Sequence, residues 1–257
     1  MSFPRLTKEI SKANLVIFFD FEGTQIRHKA IALGIVAFEK EPGKLVPSSK
    51  KVLSYKAFIR TTDEIGPVVK KMTGINETTL KKEGKPFSSV IKEVMNLTRK
   101  YKEKVYISYG DMDLKILYNS INKRDQNEYN FFNHILKNYL DFHLYLSHFL
   151  IDDKGQSLSI KKLLTYYKIK IDGKEHDPLF DSKALMAIYL NYIESEEKTV
   201  VYILKNYKKN PYLDDISKAF ALKAIEKKNA TLNDLKEEIK KNLWGKSIIL
   251  MAESPLS

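Results

Sequence analysis

Apolar residues stand in short continuous runs near the start of the chain and at helical spacing over most of the rest. Runs at 15–20, 31–38 and 52–59 have the length and composition of β-strands. The first is apolar almost throughout, as expected for a strand that is buried on both faces. Gly23 and Thr24 indicate a turn before the second run. The three strands are therefore expected to form an antiparallel meander.

Helical spacing then dominates. It predicts helices at 87–97 (just after Pro86), at 113–121, at 157–167 and from Pro178 onward. Residues 129–150 are expected to be helical, with a break near Asp141, and a short strand is predicted at 104–108. Strands followed by strand–helix alternation predict an α/β fold, with a mixed sheet flanked by helices.

The sequence changes character after about Ser195. Residues 1–195 are predicted to form one domain, and residues 196–257 a helical C-terminal appendage. Its helices are indicated by Leu213, Ile216 and Phe220, and by apolar positions within 232–243, where Thr231 begins a capping box. Trp244 is a candidate anchor for packing.

Composition narrows the functional classes. The 257 residues contain no cysteine, which excludes disulfides, thiolate–zinc sites and cysteine nucleophiles. No apolar stretch approaches the roughly 18 residues of a membrane span, and residues 1–12 do not resemble a secretory signal. We therefore expect a cytoplasmic protein without a membrane partner. The net charge of +12 favours a polyanionic partner, although a lysine-rich, arginine-poor composition can also reflect an AT-rich genome.

The first candidate chemistry is a pair of acids at the end of the first strand. Asp20 and Glu22 are separated by one residue, so their side chains point to the same side of a strand. Carboxylates at the end of a buried strand are costly unless a positive group neutralises them. A divalent metal ion is the obvious candidate.

Further acids and a histidine follow downstream. Asp113 precedes apolar residues at the next and fourth positions, so it can face a site while its helix packs. Asp111 is the alternative, but it suits the helix N-cap better. His176 and Asp181 stand five residues apart around Asp177-Pro178, which suits the N-cap and N1 positions of the next helix.

These residues, in chain order, resemble the motifs of the DEDDh family of 3′→5′ exonucleases. The first motif is Phe-Asp-Phe-Glu-Gly-Thr at 19–24, and the second is Met-Asp-Leu-Lys-Ile-Leu at 112–117. His176 and Asp181 match the His-x4-Asp form, and 69–75 resembles the family's Leu-Thr-Gly-Ile segment. The resemblance covers roughly 14–195 and implies an RNase H-like fold. Asp-Phe-Glu is typical of the branch that trims histone messenger and small-RNA ends, and of its bacterial relatives.

The resemblance also implies a mechanism. Two Mg²⁺ or Mn²⁺ ions would be held by four acids: Asp20, Glu22, Asp113 and Asp181. His176 would act as the general base that activates water. The product would be nucleoside 5′-monophosphates from the 3′ end of single-stranded RNA or DNA, or of short oligonucleotides. Residues implied at the substrate are Phe21, Gly23, Thr24, Met72 and Thr73.

Other functions stay open at this point. A catalytically silent nucleic-acid-binding module would keep the fold and recruit a partner through its C-terminal helices. A proofreading subunit would be recruited to a DNA polymerase by the same helices. Homodimerisation is common among members of the family and is neither indicated nor excluded by these residues.

Overall fold

Five strands between residues 15 and 141 form one mixed sheet. The computed structural model describes residues 10–205 and 232–243. Its strands are β1 (Leu15–Gly23), β2 (Ala30–Glu39), β3 (Val52–Phe58), β4 (Lys104–Ser108) and β5 (Tyr139–Asp141). Their order is β3-β2-β1-β4-β5. The pairs β1–β2 and β2–β3 are antiparallel, whereas β1–β4 and β4–β5 are parallel. The predicted antiparallel meander and the mixed character of the sheet are confirmed.

Helices flank this sheet, as the sequence predicts. No helix in the described ranges has both the length and the apolar character needed to cross a bilayer. The helices are α1 (Pro67–Thr73), α2 (Glu77–Glu83), α3 (Phe87–Thr98), α4 (Met112–Ser120), α5 (Gln126–Lys137), α6 (Phe142–Ser147), α7 (Ile160–Tyr167), α8 (Pro178–Glu194), α9 (Glu196–Lys205) and α10 (Leu232–Leu243).

Strand β1 is buried on both faces because its alternate residues enter different apolar clusters. Phe18 belongs to the cluster that includes α8, where its ring centroid lies 5.3 Å from that of Tyr189. Phe19 and Phe21 belong to the cluster formed with α3, α4 and α5. This double burial explains the continuous apolar run in the sequence. The alternation also places Asp20 on the same face as Phe18, toward α8.

Two parts of the prediction need correction. The segment 129–150 is not one broken helix, because β5 separates α5 from α6 and pairs with β4. Three residues are too few to show a strand pattern. Two short helices that the sequence analysis does not predict, α1 and α2, lie between β3 and α3. Helix α1 has no buried residue, so it leaves no apolar periodicity in the sequence.

The described part of the C-terminal region packs on the main domain. Val200 and Ile203 of α9 and Ile239 of α10 belong to the same apolar cluster as Tyr192 of α8. The boundary at 195 stays a prediction. The helix expected around Leu213, Ile216 and Phe220, the capping box at Thr231 and the anchor Trp244 lie outside the described residues.

Candidate active site

Two carboxylates lie close together near the end of β1. Asp20 and Glu22 flank Phe21, whose ring lies in the opposite apolar cluster, so both acids leave the strand on the α8 side. In the sheet register Asp20 pairs with Gly34, and Glu22 pairs with Ala32. Both acids are partly buried. The predicted arrangement of the pair is therefore present.

A third carboxylate comes from the first turn of α4. Asp113 is 7% exposed, and its Oδ1 accepts a hydrogen bond of 2.6 Å from the backbone N–H of Phe21. This bond joins the start of α4 to β1 between the two acids of the strand. Asp111 is exposed at the N-cap position, and its side chain makes no capping hydrogen bond. Of the two candidates, Asp113 is thus the one that faces the site.

The turn before α8 supplies the remaining two candidates. Asp177 caps α8 by accepting two backbone N–H groups of the first turn, and Pro178 is at the start of the helix, as predicted. The backbone N–H of His176 donates to Oδ2 of Asp181 at 3.0 Å. His176 has a φ of 64°, a left-handed conformation that is uncommon for residues other than glycine. Such local strain is common at functional sites.

The turn brings these residues up to the acids of β1. Glu22, His176 and Asp181 each offer one ligand atom, and the three atoms lie within 4.8 Å of one another. This spacing suits a shared metal ion or an intervening water molecule. Asp20 and Asp113 border the same cleft. The structure therefore brings all five predicted catalytic residues together.

Gly34 was not predicted as a site residue, yet it allows the start of α8 to lie directly against β2. A β-carbon built on Gly34 would lie 2.1 Å from the carbonyl carbon and oxygen of Pro178. The buried Ser182 donates to the carbonyls of both Gly34 and Pro178, at 3.0 and 2.8 Å. The start of α8 therefore packs against the backbone of Gly34, which pairs with Asp20 in the sheet. A glycine inside an apolar strand is the sequence signal for such a close approach.

The four carboxyl groups of the cluster are difficult to ionise together. Burial is the largest cause of a raised pKa at each of its four carboxyl groups. It raises the pKa of Glu22 to about 8, that of Asp113 to about 7 and that of Asp181 to about 6. Burial, followed by the charges of Asp113 and Glu22, raises the pKa of Asp20 well above its usual range. Ionising all four together requires a cation, and hard divalent ions such as Mg²⁺ and Mn²⁺ prefer carboxylate ligands. The donor set fits such an ion.

These residues line an open cleft of about 400 Å³. Its other walls come mainly from α4, from α7 and from the turn before α8. None of those wall residues was predicted as a site residue, because each belongs to an element with an ordinary structural pattern. They are Tyr109, Met112, Ser159, Ile160, Lys161, Leu164, Glu175 and Phe180.

The residues predicted at the substrate have different positions. Phe21 borders the cleft, but its ring is 6% exposed and packs in the core, so its side chain is not a free contact surface. Thr24 is buried, and both its backbone N–H and its hydroxyl bond to the backbone of Lys29. A β-carbon on Gly23 would meet the Ile116 side chain at 2.9 Å. Gly23 and Thr24 thus close a turn and hold α4 against β1.

Met72 and Thr73 lie on α1, outside the residues that line the cleft. Met72 is 43% exposed, which leaves its side chain free for contact. The hydroxyl of Thr73 donates to the carbonyl of Val69 and accepts from the N–H of Ile75. Thr73 therefore has a structural role in ending the helix.

Comparison with known proteins identifies the fold. No protein-family model matches the chain, and no curated protein sequence matches it. Many solved structures are similar to it, and three of them are described here. One is a full-length 3′-exonuclease, with a TM-score of 0.53 and 16% identity, covering 72% of this chain and 84% of that chain. The second is the nuclease domain of 3′hExo, a DEDDh family member, bound to rAMP, with a TM-score of 0.51, 17% identity and coverage of 72% and 94%.

The third structure shows 3′-end-specific recognition of a histone mRNA stem-loop by 3′-exonuclease. Its TM-score is 0.54 at 17% identity, with coverage of 72% of this chain and 84% of that chain. The chain therefore has the RNase H-like fold of these exonucleases. The predicted fold class, a mixed sheet flanked by helices, is confirmed.

Proposed function

We propose that this chain is a metal-dependent 3′→5′ exonuclease that releases nucleoside 5′-monophosphates from single-stranded RNA or DNA, or from short oligonucleotides. One observation supports the proposal above all others. Four acids and a histidine, far apart in the sequence, meet in one cleft of a fold that DEDDh exonucleases share. A fold alone does not define a function, whereas this combination of side chains is specific to a reaction class.

The chemistry of the cleft favours phosphodiester hydrolysis. Asp20, Glu22, Asp113 and Asp181 would hold two divalent ions. Bound divalent ions supply charge stabilisation for the attacking and leaving oxygens of a phosphodiester. Burial, and after it the charges of neighbouring acids, raise the pKa values of Asp20 and Glu22, and a bound cation would offset both effects.

His176 is the residue that we expect to accept a proton from the attacking water. One of its ring nitrogens lies within 4.8 Å of carboxylate oxygens of Glu22 and Asp181, which leaves room for a water molecule between them. The bond from its backbone to Asp181 holds the turn in place. The apolar side chains of Leu164 and Phe180 border the same cleft.

RNA is the substrate that we would test first. The net charge of +12 favours a polyanion of either kind. Among the similar structures, one is bound to rAMP and another recognises the 3′ end of a histone mRNA stem-loop. By analogy, we infer that an RNA 3′ end is accepted here, with DNA as the matched comparison.

The test is digestion of matched single-stranded RNA and DNA oligonucleotides, labelled at the 5′ end, with Mg²⁺, Mn²⁺ or EDTA. A ladder that shortens from the 3′ end, requires a divalent ion and is lost in Asp20→Asn would support the proposal. Binding without cleavage in every metal would contradict it and indicate a silent binding module instead.

A further inference from the structure

An ion pair links the outer part of the sheet to the turn that carries His176. The ammonium of Lys56 in β3 lies 2.5 Å from Oδ2 of Asp177. In the sheet register Lys56 pairs with Gly34, which pairs on its other side with Asp20. Directly paired residues share a face. Lys56 and Asp20 therefore stand on either side of the point where α8 meets the sheet.

The two carboxylate oxygens of Asp177 have different partners. Oδ1 accepts the capping hydrogen bonds from the first turn of α8, and Oδ2 contacts Lys56. The ammonium of Lys56 also lies 5.3 Å from the centre of the Phe58 ring, which restricts it further. Each side chain of the pair is about one-third exposed, so solvent screens their attraction less than it would in a fully exposed pair.

The ion pair acts on a turn with a strained residue in it. His176 adopts a φ of 64°, and the N–H of Asp177 donates to the carbonyl of Lys174 at 3.1 Å. Strained conformations persist when the surroundings determine them from several sides. Here the bond from His176 to Asp181 secures one side, and the contact between Asp177 and Lys56 secures the other.

The charges favour the same interpretation. Asp177 is a further acid beside the four carboxylates assigned to the metal site, and its sequence neighbour His176 must approach Glu22 closely. The ammonium of Lys56 compensates that extra charge on the side away from the cleft. Without the ammonium of Lys56, the negative charge of Asp177 would be repelled by the carboxylates of the cleft, and the turn that carries His176 would be pushed away from them.

We propose that Lys56 is a positioning residue, which holds His176 in its working geometry through the ion pair with Asp177. This inference rests on the proposed function, in which His176 takes part in hydrolysis. Lys56 itself touches neither the cleft nor a reacting atom. Its removal should therefore lower turnover more than substrate affinity.

The kinetic test uses Lys56→Met, which keeps much of the side-chain stem, and Asp177→Asn, which retains a good capping residue. Each should lower kcat about tenfold with KM changed less than about twofold, since a displaced catalytic group costs turnover. The double variant should be no worse than either single variant. Lys56→Arg should recover most of the loss. Lys85→Met, which breaks the remote pair of Lys85 with Glu93, is the matched control and should behave as wild type.

A second readout is independent of activity and metal. Hydrogen exchange in EDTA should become about threefold faster in residues 174–181 of Lys56→Met, the size expected for one partly exposed ion pair. Wild-type kcat in both single variants, or equally faster exchange throughout the sheet, would overturn the inference. If the wild-type protein cleaves nothing, the proposed function fails. The exchange measurement does not depend on activity, so unchanged exchange in residues 174–181 of Lys56→Met would overturn the positioning role separately.

Discussion

Substitution of Gly34 by alanine adds one methyl group where the structure has no space for it. The new β-carbon would lie 2.1 Å from the Pro178 carbonyl and 2.3 Å from the backbone nitrogen of Leu179. These are backbone atoms at the start of a helix, so no side-chain rotation can relieve the contact. Either α8 moves away from the sheet or β2 bends.

The size of the movement follows from the geometry. An ordinary contact begins at 3.4 Å, so the two backbones must separate by roughly 1.3 Å to accommodate the methyl group. Asp181 and His176 move with α8, whereas Asp20 and Glu22 stay on β1. A displacement of this size at a catalytic group can reduce turnover by about 100-fold. Overpacking of this kind also lowers the free energy of unfolding by about 1–3 kcal/mol.

The assay compares kcat on a labelled oligonucleotide with thermal unfolding followed by circular dichroism. Gly43→Ala is the control: Gly43 has a φ of 82°, but no atom lies within 4 Å of its built β-carbon. That variant should lose about 1–2 kcal/mol through backbone strain and keep its turnover. Wild-type turnover in Gly34→Ala would refute the placement of α8, as would an equal loss of turnover in Gly43→Ala.

Further predictions concern the acids and the histidine. Asp113→Asn should reduce cleavage at least about 100-fold, whereas Asp111→Asn should have little effect; the reverse order would assign the inward-facing role to Asp111. His176→Ala should slow turnover greatly while Mn²⁺ binding, measured by calorimetry, is largely kept, and full activity would exclude His176 as the base. In EDTA, the melting temperature should fall as pH rises from about 4 to about 8. The reason is that folded Glu22, with its pKa raised to about 8, holds a proton that the unfolded chain releases. Mn²⁺ should make the melting temperature depend less on pH. Equal slopes of melting temperature against pH with and without Mn²⁺ would contradict a metal site in the cleft.

Much of the fold could be predicted because its signals are local. Phe18 and Phe19 lie in an unbroken apolar run, which is what burial on both faces of a sheet produces. The acids at Asp20 and Glu22 share a face because side chains alternate along a strand. Pro178 shows where α8 starts, since proline favours the first position of a helix.

What could not be predicted depends on tertiary contacts. The three residues of β5 pair with β4 only because α5 returns the chain to the edge of the sheet. The role of Gly34 depends on the path of α8, and the pairing of Lys56 with Asp177 joins residues 121 positions apart. The resemblance implied Phe21 as a substrate contact. The alternation along β1 that turns Asp20 and Glu22 toward the cleft turns the ring of Phe21 into the opposite apolar cluster.

The most direct test of the central claim is the identity of the first product. We would place a radiolabelled phosphate on the 5′ side of the 3′-terminal nucleotide of a single-stranded RNA and incubate it with Mn²⁺, beside Asp20→Asn. The account predicts that the label appears first as a nucleoside 5′-monophosphate, and that Asp20→Asn releases none. Label in longer fragments, or release that persists in Asp20→Asn, would contradict it.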